Sequence, residues 1–364
     1  MSQNPNALAL MEPVSLPGGL KVPNRIVMAP MTRNRADLNG NPNELMATYY
    51  AQRAGAGLII SESTVVSPFG IGYLGAPGHY NGDQTLAWRK VTDAVHEKGG
   101  HIFQQLNHYG RCSSRFMLPG GVIPIAPSAV SIHRKSRAVT IASPRVTPYD
   151  TPRAMETHEA ELVVQDFRSA TVRAAAAGFD GVEIHADSGY LIHQFLSSNV
   201  NQRIDKYGGS VENRARFVLD VVDACVSVRG DGFVSVKLTP GWGFHDIEEK
   251  DAPALYAHVI EQLNRFELTF LHLFDSDRLQ GELFRQVREQ YDGIVLAEGS
   301  LSVDESAAAI KSGLCDMSAF GRLYISNPDL AQRIASGASL TPFDADTFYT
   351  PGAEGYIDYP IHEA

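Results

Sequence analysis

Polar side chains collect at the ends of a few short, β-branched runs in this 364-residue sequence. Read at the C-terminal end of each run, they are Pro30-Met31-Thr32, Ser63, Gln105-Asn107-His108, His185, Lys237, Asp275, Glu298-Gly299-Ser300 and Gly321-Arg322. Neither a carboxylate-rich metal cluster nor an HxH pair is among them. Gly299 and Gly321 allow close backbone approach and Arg322 adds a fixed positive fork, a combination suited to a phosphate. The competing reading makes both glycines plain turns and pairs Arg322 with a surface carboxylate. A second segment runs from His185 through Ser188 to Tyr190. Taken alone, its histidine reads as a satisfied strand-end residue and its tyrosine as packing at a helix start.

The runs that must position these residues are Arg25–Ala29, Gly57–Glu62, His101–Leu106, Phe179–His185, Phe233–Thr239, Leu268–Phe274, Gly293–Ala297 and Asp316–Phe320. Several, such as LIIS and GIVLA, are apolar throughout, as strands buried on both faces are. Between and after them lie amphipathic stretches predicted as helices: Glu44–Ala56, Gln84–Lys98, Glu156–Ala177, Glu212–Val228, Asp251–Arg265, Gly281–Tyr291, Val303–Lys311 and Pro328–Ser336. Eight strand–helix repeats predict an α/β fold, a single (β/α)₈ TIM barrel over residues 1–364. An open doubly wound sheet shares the alternation. In a barrel the reactive groups sit at the C-terminal strand ends, and a phosphate commonly lies between the loops after strands seven and eight. One interval breaks the rhythm: residues 109–155, rich in Pro, Gly, Ser and Arg, are too long for a plain loop and predict a folded excursion after strand three.

The bulk numbers narrow the classes. Hydrophobic residues at 44% and charged residues at 20% are ordinary for a globular chain. A net charge of −10 disfavours nucleic acid or an anionic membrane as the main partner. Cys112, Cys225 and Cys315 are far apart and form no CxxC, which suits a reduced cytoplasmic setting. No signal peptide or membrane span is read. A small-molecule substrate and a monomer or small homo-oligomer are expected.

Five segments carry a resemblance: NRIVMAPMTR, HIFQQLNHYGR, GFDGVEIHADSGYLIHQFLSSNVNQRIDKYGGSVENRARF, DMSAFGRLYISNPDL and FYTPGAEGYIDYP. In this order, along nearly the whole chain, they resemble the Old Yellow Enzyme family of FMN-dependent ene-reductases, its bacterial branch in particular. The resemblance implies non-covalent FMN at the barrel mouth, reduced by NADPH or NADH. It implies a phosphate at Gly299, Ser300, Gly321 and Arg322, with Thr32 and Gln105 on the isoalloxazine edge. Pro30, Met31 and Ser63 would line the flavin wall beside His185. Lys237 stands where the family commonly has Arg, and a cation there favours the anionic reduced flavin. The resemblance further implies that His185 binds the substrate's carbonyl or nitro oxygen and that Tyr190 protonates its α-carbon. Tyr356 matches a residue lining the substrate cavity.

Two positions depart from the family's pattern. Ser188 replaces the Asn or His that partners His185, which predicts weaker polarisation of ordinary enones. Asn107 stands where bacterial relatives carry a bulky Trp, which predicts a wider, more polar pocket. The implied function is NAD(P)H-dependent reduction of activated C=C bonds in unsaturated carbonyls, maleimides and nitroalkenes. Ser188 and Asn107 keep a dedicated biosynthetic reductase, isomerase or desaturase open as an alternative. A decayed flavin-binding scaffold is the third reading, and retention of His185 and Tyr190 speaks against it.

Overall fold

All eight predicted strands form, and they pair in parallel around a closed ring. They are β1 (Ile26–Met28), β2 (Leu58–Ile60), β3 (Ile102–Asn107), β4 (Gly181–His185), β5 (Val234–Leu238), β6 (Leu271–Phe274), β7 (Val295–Glu298) and β8 (Met317–Phe320). Each bonds to the next, and β8 returns to β1 through Ser318 beside Ile26, so the sheet has no open edge. The computed structural model describes residues 7–132, 137–139, 146–230 and 232–362. The architecture is a (β/α)₈ barrel, and the open doubly wound alternative falls.

Helices α1 (Glu44–Ala51), α2 (Gly82–His96), α3 (Thr157–Ala176), α4 (Val211–Arg229), α5 (Ala252–Leu263), α6 (Glu282–Gln290), α7 (Val303–Lys311) and α8 (Leu330–Ser336) follow the predicted segments closely. Their starts have local causes. Asn43, Asn81, Ser210 and Ser302 each accept a backbone N–H of the first turn, and Glu305 closes a capping box on α7. Gly337 ends α8 at φ 71°, where a side chain would be strained. Two short helices, Leu191–Leu196 and Arg322–Ser326, were not predicted as elements. No helix among the described residues is long and apolar enough to cross a membrane.

Strand periodicity divides the strand residues into two sets. Ile26, Met28, Ile59, Ile102, Leu106, Val182, Ile184, Val234 and Val236 join the layer under the helices. Val27, Ala29, Leu58, Ile60, Phe103, Phe270, Leu296, Met317 and Ala319 fill the barrel interior. Leu16 and Val22, from an N-terminal hairpin (Val14–Ser15 with Lys21–Val22), belong to the same interior cluster. Gly181 has no side chain because a Cβ there would run into the Phe103 ring. Two residues further along each strand, the inward positions turn polar: Gln105, Glu183, Lys237, His272 and Glu298. The interior is therefore greasy at one end and ionic at the other, which is the end that faces the site.

The excursion after β3 is folded where it is described. Ile125–Ala126 pairs with Arg153–Ala154, and Arg137–Val139 pairs with Val146–Pro148. Residues 133–136 and 140–145 of it lie outside the described residues. Ile132 and Tyr149 pack with Tyr73, Tyr109 and Tyr190 in one apolar cluster, which places the excursion against the active end of the barrel.

Candidate active site

A single cavity of about 1130 Å³ opens over the ionic end of the barrel. It exceeds the roughly 300–1,000 Å³ of ordinary ligand cavities, leaving room for a cofactor and a second molecule. Its wall brings together Pro30, Met31, Thr32, Ser63, Gln105, His185, Ser188, Tyr190, Lys237, Ser300, Gly321 and Arg322, drawn from seven strand ends. Gly299 lies just off the wall, between Glu298 and Ser300, and a Cβ there would crowd the Asp275 carbonyl.

The cavity has two chemically distinct ends. At one, Ser300, Ser302 and Val303 form the entry to α7, whose unpaired N–H groups and dipole suit an anion. Arg322 projects from the first turn of its short helix into this end and makes no ion pair among the described residues. At the other end lie Thr32, Gln105 and Lys237, which present an alcohol, an amide and a cation. Apolar side chains (Met31, Trp242, Phe274, Phe320, Leu323) supply the greasy part of the wall. An arginine without an ion pair at a helix entry, apolar wall residues and a set of donors match the phosphate, ring and carbonyl edge of FMN. The residues present fit that cofactor.

Beneath Lys237 the inward polar residues form a continuous chain. Gln105 Nε2 donates to Glu183 Oε1 at 2.9 Å, and Glu183 Oε2 lies 2.8 Å from His272 Nδ1. His272 Nε2 is 3.2 Å from Glu298 Oε2, which accepts from Lys237 Nζ at 2.7 Å. Lys237 Nζ also lies 3.8 Å from Asp187 Oδ2, and Asp187 touches His185 Nε2. Burial opposes every charge here, and the partners overcome it. Glu298 is held down to about 2 by Lys237 and His272 against its desolvation. Asp187 is held well below the usual carboxylate range by His185 and Lys237. Burial pulls His272 down, but Glu183 outweighs it and raises the imidazole. Glu298 and Asp187 thereby stay ionised, and Lys237 is likewise raised above its ordinary value by Glu298 and Asp187.

The segment His185 to Tyr190 is shaped by its backbone. Ser188 sits at φ 55° and Gly189 at φ 74°, so the chain turns sharply in the left-handed region. That turn swings Asp187 back under His185 and leaves Tyr190 on the cavity wall. The Tyr190 ring meets His185 edge-on at 5.1 Å and Tyr109 at 4.5 Å. Burial, then the Tyr73 and Tyr109 hydroxyls, push the Tyr190 phenol well above its ordinary value, so it remains a proton donor at neutral pH. Asp187 was missed in the sequence, although its spacing two residues from His185, in step with Glu183, was a usable signal.

Two expected wall residues lie elsewhere. Asn107 is not on the cavity wall: its Nδ2 donates to Ser63 Oγ at 2.9 Å, and the side chain is buried. Asn107 shares the parity of Gln105 two residues before it, so strand period alone would turn it inward; its bond to Ser63 and the pairing of Val65 beside it hold it off the wall. Tyr356 is also absent from the wall, stacked at 4.1 Å on Tyr49 and completely buried. Arg33 and Arg35 cause this by gripping the tail: Arg33 donates to Phe348 O at 2.9 Å and Gly355 O at 2.8 Å, and Arg35 to Phe348 O at 2.7 Å. The tail residues that do line the cavity are Phe348 and Tyr349.

Glu62, at the end of β2, underpins that grip by accepting the Arg33 backbone N–H at 3.1 Å. Burial raises its carboxyl to about 7, and the Arg33 N–H and charge only partly offset this. A carboxyl raised above its unfolded value favours folding fully below that value, near 4.5, and loses the benefit as pH climbs through about 7. Glu62→Gln, which imitates the protonated form, is therefore expected to be roughly 2–3 kcal/mol more stable than wild type at about pH 8. The gap should close toward about pH 5. Urea unfolding at both pH values reads the difference, and a gap independent of pH would contradict the assignment.

Comparison with known proteins agrees with this geometry. The NADH:flavin oxidoreductase / NADH oxidase family matches residues 9–341. A probable flavin mononucleotide-dependent alkene reductase of Leishmania infantum is 40% identical, covering 99% of this chain and 100% of its own. The 12-oxophytodienoate reductase 7 of Oryza sativa subsp. japonica is 39% identical over 97% of this chain and 94% of its own. The structure of morphinone reductase in complex with tetrahydroNAD superposes with a TM-score of 0.93 at 41% identity, covering 97% of this chain and 98% of that one. The Old Yellow Enzyme homologue from Zymomonas mobilis gives a TM-score of 0.91 at 37% identity, over 96% of this chain and 99% of that one. With its barrel, its flavin-shaped cavity and these likenesses, the chain belongs to the NADH:flavin oxidoreductase / NADH oxidase family, the Old Yellow Enzyme family, and is an FMN-dependent oxidoreductase of it.

Proposed function

We propose that this chain reduces activated carbon–carbon double bonds in α,β-unsaturated carbonyls, maleimides and nitroalkenes, at the expense of NADPH or NADH. The observation that carries this reading is that His185 and Tyr190 share one cavity wall with the flavin-binding end, their rings 5.1 Å apart. Bound FMN supplies the hydride chemistry. His185 binds the substrate's oxygen and draws charge from the double bond, stabilising the enolate that develops. Tyr190 delivers a proton to the α-carbon from its phenol. The α7 entry and Arg322 hold the phosphate, while Phe348, Tyr349 and Trp242 keep water from the reacting bond. The names of the relatives, an alkene reductase and a 12-oxophytodienoate reductase, support this substrate class. Anaerobic mixing with NADPH or NADH tests it: the flavin should bleach and then recover its colour on adding an enone. Failure to bleach would leave only a flavin-binding scaffold.

A second reading, a dedicated FMN enzyme on a larger substrate, draws on one observation. The His185 Nε2 that would meet a carbonyl is already engaged by Asp187, and Ser188 hydrogen-bonds the same carboxylate. Ser188→Asn supplies a longer donor, and Asn tolerates the left-handed φ of 55° better than most residues. It is expected to raise kcat/KM for cyclohexenone several-fold, on the order of one hydrogen bond to a developing charge. Unchanged turnover and unchanged phenol binding would remove Ser188 as the cause of any narrowed specificity.

A further inference from the structure

The ionic end of the barrel holds an excess of acid directly below the flavin end of the cavity. Three carboxylates (Glu183, Asp187 and Glu298) meet one lysine and two imidazoles (Lys237, His185 and His272) within a single chain of contacts. Even with both imidazoles protonated, the sum is zero. Lys237 and Glu298 both line the cavity, from the ends of β5 and β7 on either side of β6 and its His272, and are joined at 2.7 Å. A carboxylate at that distance cancels most of the field its lysine would project onto a neighbouring anion.

We propose that Glu298 offsets the charge of Lys237 where the flavin ring rests, and so sets how strongly this protein prefers anionic reduced FMN over oxidised FMN. Glu298 acts through Lys237 and is a positioning and charge-balancing residue. It holds Nζ toward β7, and its charge opposes the electron pair that reduction places on the ring. A lone Lys237 would favour the reduced anion, whereas the pair leaves the cofactor easier to re-oxidise. This rests on FMN occupying the cavity as read above, so the flavin content of the purified wild-type holoenzyme is measured first. Absence of FMN would overturn that reading itself, whereas a flavin-loaded protein isolates the present proposal.

The test is the two-electron midpoint potential of bound FMN, by anaerobic reductive titration, in wild type, Glu298→Gln and Glu298→Asp. Glu298→Gln should favour the reduced form at least tenfold, about 30 mV upward for a two-electron couple. Glu298→Asp, which keeps the charge, should stay near wild type. The ratio of dissociation constants for oxidised and reduced FMN should change by the same factor. A Gln variant within threefold of wild type, or an Asp variant shifted as far as Gln, overturns the proposal. Should Glu298→Gln refold poorly, Glu298→Ala is titrated in its place, since His272 keeps its bond to Glu183.

Discussion

Tyr190→Phe is expected to slow re-oxidation of the reduced flavin by an enone about 10²–10⁴-fold while leaving its reduction by NAD(P)H unchanged. The variant removes one oxygen from a side chain that is 9% exposed and clamped between the rings of His185 and Tyr109. Phe fills the same volume, so the barrel and cavity should persist. What goes is the phenolic proton, and water must then supply it without being held against the α-carbon. Because burial and the flanking Tyr73 and Tyr109 hydroxyls hold the phenol well above its ordinary value, Tyr190 contributes no limb to the pH profile near neutrality. Stopped-flow absorbance separates the two half-reactions. Wild-type re-oxidation in the Phe variant would show that the proton comes from elsewhere.

Arg33→Met is expected to loosen the C-terminal tail and open the substrate side of the cavity. The Arg33 side chain is fully buried and donates to Phe348 O, Gly355 O and the Tyr49 hydroxyl, all at or below 3.1 Å. It also lies over the Tyr49 and Tyr356 rings at 5.4 and 5.2 Å. Hydrogen bonds from a charged donor contribute about 1.5–3 kcal/mol each, and losing the donor strands Gly355 O while Phe348 O keeps its bond from Arg35. Arg35 still donates to Thr347 O and Phe348 O, and Tyr356 still stacks on Tyr49, so the tail should loosen around Gly355 before the barrel unfolds. Limited proteolysis should cut near Thr350 in the variant at protease levels that spare wild type. KM for the substrate should rise more than kcat falls, since Phe348 and Tyr349 leave the wall. A protease-resistant variant with an unaltered KM would show that Arg35 and the aromatic packing seat the tail without Arg33.

The barrel was legible in the sequence because its signals are local. Alternating runs such as GVEIH and VSVKL show their period in five residues, and Ser302 with Glu305 marks the start of α7 in four. Family motifs pointed to fifteen residues; twelve of them line one cavity, Gly299 lies just off its wall, and Asn107 and Tyr356 lie elsewhere. Asn107 was placed on the wall because its strand parity matches Gln105; the Val65 pairing beside it and the bond to Ser63, which keep it off, join segments more than forty residues apart. Tyr356 was misread because its place depends on Arg33, more than 300 residues earlier, where the Arg33–Gly355 contact spans 322 positions.

By itself, then, the sequence determined the eight strands, the helices between them, and which residues rise to the C-terminal rim. Those properties follow from side-chain period and end-capping, which act over one or two turns of chain. Only the tertiary structure decided the charge at that rim. Lys237 meets Glu298 across 61 residues, and Asp187 reaches His185 only because Ser188 and Gly189 turn the backbone into the left-handed region. Closure of the barrel brings inward positions of separate strands to hydrogen-bond distance. Pairing among them depends on register around the ring, a property of the whole sheet that no single strand contains.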